Sequence, residues 1–101
     1  MKTIAYTIHH KDGKDEQVEG TPVKGTRFAL RKDAKGYVVD CTITGHRLGT
    51  FTYQKAAKVI AMDAERFYDD PLLPCYIAHM RALDWKEPPS FSEWRVHGET
   101  K

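Results

Sequence analysis

No apolar run in these 101 residues approaches the roughly 20 needed to cross a bilayer. The opening residues, Met1-Lys2-Thr3-Ile4-Ala5-Tyr6, alternate and lack the long apolar core of a secretory signal, so they read as a first strand and the expected location is cytoplasmic. Cysteine is scarce. Cys41 and Cys75 stand 34 residues apart, with no C-x-x-C pair and no zinc-like spacing, so two free and mostly buried thiols are expected. Five histidines are present, but no H-E-x-x-H motif, and neighbours such as His9-His10 point to opposite faces of a strand. No P-loop or G-x-G-x-x-G appears, so neither metal nor cofactor is expected. The spacings that suggest a nucleophile and its base, Cys75 with His79 and Cys41 with His46, come without an oxyanion element. Asp69-Asp70 falls at a helix end, where capping accounts for Asp70. These absences point away from an enzyme.

What remains is the pattern of one small domain. Hydrophobic residues make up 41% and charged residues 30%, a balance that folds rather than staying disordered. Ile4, Tyr6 and Ile8 alternate with Thr3, Ala5 and Thr7, the period of a half-buried strand. Asp12-Gly13 supplies a turn, and a weak return strand follows around Gln17-Val18. Thr26 to Lys32, Tyr37 to Thr44 and Leu48 to Phe51 read as further strands, separated by Asp33-Ala34-Lys35-Gly36 and by Thr44-Gly45-His46-Arg47.

Thr52 fits a helix N-cap. Ala56, Ala57, Ile60, Ala64, Phe67 and Tyr68 then recur at helical spacing. Asp70-Pro71 opens a second helix to about Asp84, and Ser90-Phe91-Ser92-Glu93 has the spacing of a capping box for a third. The expectation is an α+β fold. An antiparallel three- to four-stranded β-meander packs on a helix starting near residue 53, and further C-terminal helices follow. Residues 1–97 form one domain and 98–101 a frayed tail.

Charge is unevenly placed. Met1 to Val23 carries net −1 and Val59 to Lys101 net −3, whereas Lys24 to Lys58 holds eight Lys/Arg against two Asp/Glu, net +6. Such a segment concentrates anionic partners around it. Strand alternation puts Arg27 and Arg31 on one face, with Lys32 and Lys35 at the hairpin, Arg47 at the next turn and Lys55 in the first helix. A sheet with one apolar face on a helix and an arginine-bearing outer face can lie in a nucleic-acid groove, its arginines reading base edges and its lysines meeting phosphate. Arg27, Arg31, Lys32, Lys35, Arg47 and Lys55 are therefore the candidate contacts to DNA or RNA, with Thr42 as a weaker polar addition.

The runs Arg27-Phe28-Ala29-Leu30-Arg31, Lys35-Gly36-Tyr37-Val38-Val39, Leu48-Gly49-Thr50-Phe51-Thr52 and Ala56-Ala57 resemble the DNA-binding domain of plant ethylene-response factors. They are also similar to the arm-binding domain of phage tyrosine recombinases. The resemblance spans residues 26–68 and implies DNA binding through a three-stranded sheet, with Arg27, Arg31 and Arg47 at contact positions. The sequence departs from both where Asp40 or Cys41 takes the place of an outer arginine. A second expectation is a protein-binding module, since the chain also looks like small phage or mobile-element anti-defence proteins of the anti-CRISPR kind. Its contacts would then come from Tyr53, Tyr68, Tyr76, Trp85 and Trp94. Packing of Trp85 and Trp94 around Pro88-Pro89 is the structural alternative for the tryptophans. Residues 3–9 are an edge strand through which copies of the chain could associate.

Overall fold

A computed structural model describes residues 2–98, with side chains as far as Arg95. Five strands, β1 (Ile4–His9), β2 (Asp15–Pro22), β3 (Phe28–Asp33), β4 (Gly36–Cys41) and β5 (Arg47–Phe51), form one antiparallel sheet in the order β1-β2-β3-β4-β5. Three helices follow: α1 (Gln54–Arg66), α2 (Leu73–Leu83) and α3 (Phe91–Gly98). The α+β meander is as the alternation predicts, with one strand more than the three or four expected. The weak return strand expected around Gln17-Val18 is β2, a full eight-residue strand whose polar residues hide its length. Residues 99–101, most of the expected tail, lie outside the described residues. Among the described residues no helix is long and apolar enough to cross a membrane.

Each face of the sheet has its own core. Phe28, Leu30, Val39, Cys41 and Phe51 meet Ala57, Ile60, Ala61 and Ala64 of α1, with Leu73, Tyr76, Ile77 and Met80 of α2 and Phe91 of α3. The alanines of α1 let the helix lie close to the strands, and the burial of these side chains is the main drive to fold. On the opposite face Tyr6, Ile8 and Ala29 cluster, with Val18 beside them. The β1–β2 hairpin therefore folds over the face turned away from the helices. Tyr6 Oη donates to Asp40 Oδ2 at 2.8 Å, and the His9 amide donates to the Gly45 carbonyl at 3.0 Å.

Gly20 permits this curl. A Cβ there would stand 2.7 Å from Tyr6 Oη and 2.8 Å from the Leu30 carbonyl oxygen, so only glycine fits where β2 passes between hairpin and sheet. Beyond that point β2 pairs with β3 at only two positions, Thr21↔Leu30 and Pro22↔Ala29. The rest of β3's edge is left unpaired by β2.

Several helix ends differ from the sequence reading. Tyr53, not Thr52, is the N-cap of α1, and it makes no side-chain capping bond. The Thr52 hydroxyl and amide instead bond the Asp84 carboxylate, at the far end of α2. Asp70 accepts from the Leu72 amide at 2.9 Å in a local turn, and α2 starts at Leu73, with Pro74 in its first turn as expected. Half of the expected capping box of α3 forms: the Glu93 amide donates to Ser90 Oγ at 3.3 Å, whereas Glu93 Oε1 accepts from the Ser90 hydroxyl, at 3.2 Å, and not from its amide. Cys41 is buried, but Cys75 is exposed, contrary to expectation. Tyr76 is fully buried, so it belongs to the core and not to a contact surface. Trp94 packs against Tyr76 and Phe91, whereas Trp85 stays exposed.

Candidate functional site

The outer sheet face expected to carry Arg27 and Arg31 into solvent lies under the hairpin. Ala29, Val38 and Asp40 on that face have no exposed surface. Arg31 Nε donates to Asp40 Oδ2 at 2.6 Å, and its side chain is only 16% exposed. Burial acts to lower the pKa of Arg31, but the hydrogen bond and charge of Asp40 outweigh it and hold the guanidinium charged. The Tyr6 phenol is pushed well above its ordinary range, by burial first and then by Asp40.

Arg27 turns to α1 instead. Its Nε and Nη2 donate to Glu65 at 3.0 and 2.8 Å, its backbone amide donates to Glu65 Oε1 at 2.7 Å, and its guanidinium lies 4.1 Å from the Tyr68 ring centroid. These bonds from Arg27 hold the Glu65 carboxyl below its ordinary value and raise Arg27 further. Lys55 is paired with Glu87 at 2.9 Å, which lowers the Glu87 carboxyl. Thr42, offered as a polar contact, donates its hydroxyl to the Arg27 carbonyl. Lys35 is exposed in the β3–β4 turn, where Asp33 accepts from the amides of Lys35 and Gly36. Arg47 is exposed at the start of β5.

A different surface collects the free cations. A hollow of about 560 Å³ runs between α1, the end of β2 and the open edge of β3. Gln54, Lys58 and Met62 line it from α1 at i, i+4 and i+8, a stripe about 12 Å long at helical rise. Lys24 lines it from the β2–β3 turn, and Leu30, Arg31, Lys32 and Tyr37 line it from β3 and β4. Four cations therefore face one concavity with no carboxylate in its lining. Among the described residues Lys24 and Lys58 make no hydrogen bond or ion pair, and Lys32 rests over the Tyr37 ring at 4.4 Å. Arg31 adds a buried Nη2 that has no partner among the described residues. The first turn of α1 holds no acidic residue and no side-chain cap, and Asp84 and Glu87 bring their carboxylates to this end through Thr52 and Lys55. Clustered positive charge of this kind raises the local concentration of anions.

Of the six expected contacts, Arg31 and Lys32 fall in this groove and Lys35 lies in the adjoining turn. Arg27 and Lys55 are tied to carboxylates, and Arg47 lines other hollows. Lys24 and Lys58 were missed as contacts. Membership of the basic segment marked both, but only tertiary folding brings them together.

The histidines form no metal centre among the described residues. His9 and His10 pair across the hairpin with Asp15 and Glu16, at 2.6 and 2.8 Å. His79 accepts from Trp94 Nε1 at 2.8 Å, which commits it to holding α3. No protein-family model, curated protein or solved structure matches the chain, so the likeness of residues 26–68 to sheet-based DNA-binding domains rests on the residues that carry it.

Proposed function

We propose that this chain is a non-enzymatic nucleic-acid-binding accessory protein that engages phosphates through the groove between α1 and the β2–β3 edge. One observation supports this above the others: Lys24, Arg31, Lys32 and Lys58 line a single concavity that contains no acid. Arg31 is offset by Asp40, so the lysines supply the attraction. Tyr37 and Met62 give the groove apolar surface against which sugars or bases can rest.

Binding to mixed duplex and single-stranded oligonucleotides across a salt series tests the reading. Neutralising three or four phosphates would give a slope of log affinity against log salt of about −2.7 to −3.6 on duplex, and a shallower one on single strands. Replacing Lys24, Lys32 and Lys58 together by Ala abolishes binding at moderate salt, while Lys55→Ala leaves it nearly intact. No binding at low salt would rule the reading out.

A protein target, as for phage anti-defence proteins, is the second reading. One surface favours it. Tyr53, Leu83 and Trp85 are all exposed, and the Thr52–Asp84 and Lys55–Glu87 contacts hold their segments together at one end of the molecule. Exposed aromatics of this kind anchor protein interfaces.

A further inference from the structure

Four of the six arginines have partners. Arg27 is held by Glu65, Arg31 by Asp40 and Arg95 by Asp70, and Arg66 lies over Phe67. Arg47 and Arg81 have none among the described residues, and both line the same hollow, of about 330 Å³, between β5, α2 and the end of α1. It shares no lining residue with the basic groove.

The hollow is built for an apolar body. Leu48 is half-buried in its lining, and the buried side chains of Phe28, Leu73 and Ile77 form its floor. At about 30 Å³ per water-sized group it holds roughly ten non-hydrogen atoms. The arginine is seated by the strand beneath it. A Cβ on Gly49 would stand 2.8 Å from Arg81 Cδ and 3.2 Å from its Cγ, so the missing side chain is the notch in which the Arg81 stem lies. Arg47 opposes Asp40 at the β-bulge that follows the Val39↔Gly49 pair, where β5 changes face, and it lines the hollow beside Leu48. Of the two lining carboxylates, Asp70 is committed to Arg95 and the Leu72 amide, and Asp69 is exposed.

We propose that this hollow binds a small amphipathic carboxylate, its apolar body on Phe28, Leu48, Leu73 and Ile77 and its head group on Arg47 and Arg81. The guanidinium fork matches the two oxygens of a carboxylate, and a largely apolar hollow with a few fixed polar groups is the usual form of a small-molecule site. The site is independent of nucleic-acid binding.

Titration of the full chain with octanoate, 1-octanol and acetate, followed by amide chemical shifts, tests it. Octanoate saturates, with shifts centred on residues 47–49 and 73–81. Octanol and acetate, each carrying half of the required chemistry, bind about tenfold more weakly or less. Arg47→Gln and Arg81→Gln each lower octanoate affinity by about tenfold, with thermal melts unchanged because both side chains are exposed. Octanol binding as well as octanoate would remove the arginines from the site and overturn the proposal. So would shifts centred on Lys24, Lys32 and Lys58, or no saturation in the millimolar range.

Discussion

Asp40 is the one charged side chain fully buried among the described residues. Its Oδ2 accepts from both Tyr6 and Arg31, whereas its Oδ1 and Arg31 Nη2 have no partner among those residues. Such a pair is costly to desolvate and more costly to break. Arg31→Met leaves the buried Asp40 carboxylate with the Tyr6 hydroxyl but no counter-charge and should destabilise the fold by about 3–5 kcal/mol. The double change Arg31→Met with Asp40→Leu should restore most of that loss, because neither charge is then left unpaired. Urea unfolding of the two single variants and the double variant measures the cycle. A double variant as unstable as the worse single one would show that packing around the pair, not its charge, holds this face.

Among the elements, the start of α3 is fastened to α1 and α2 through the Asp63 carboxylate. Asp63 Oδ2 on α1 accepts from Tyr76 Oη at 3.1 Å and from the Phe91 amide at 3.0 Å, while Tyr76 Oη also reaches the Pro89 carbonyl at 2.7 Å. The Tyr76 phenol is correspondingly raised well above its ordinary range, by burial first and then by Asp63. Asp63→Ala removes both bonds and should destabilise by about 1–3 kcal/mol. The effect should appear first as a red shift of Trp94 emission at denaturant concentrations where far-ultraviolet ellipticity still reports an intact sheet. Coincident transitions would mean that α3 does not leave separately.

The same elements show what local sequence can reveal. Alternation marked β1, β3, β4 and β5, the Ala-rich face marked α1, and Ser90-x-x-Glu93 marked the start of α3, because each depends on neighbours in the chain. β2 was under-read because Asp15, Glu16, Gln17 and Glu19 are exposed, which removes the apolar half of the alternation. Thr52 has the chemistry of a cap, but Asp84, 32 residues on, takes both its donors. The candidate site divides in the same way. Arg31 and Lys32 were legible from the basic strand, but their joining to Lys24 and Lys58 was not. Nor was the covering of the arginine face, which depends on a tyrosine in β1 reaching an aspartate in β4.

Considered as a whole, the molecule has a large core on the helix side and a small one under the hairpin. The two are joined along β2 by only two paired positions with β3. Opening the hairpin therefore uncovers little apolar surface, whereas separating α1 from the sheet uncovers much. Amides of β1 and of the first part of β2 should exchange through an opening of lower free energy than those of β4 and α1. Native-state hydrogen exchange against denaturant measures this, and equal free energies across all of them would show a single cooperative unit.

Every strand in the sheet pairs with its neighbour in the chain, and every helix that covers it comes afterwards. During synthesis the hairpins can therefore form as they emerge, without waiting for distant partners. The side chains of Phe28, Leu30, Val39 and Phe51 must then stay uncovered until α1 and α2 have been made, for about seconds at ordinary translation rates. In that interval the half-made protein presents a bare apolar sheet, which makes it the stage most prone to aggregate.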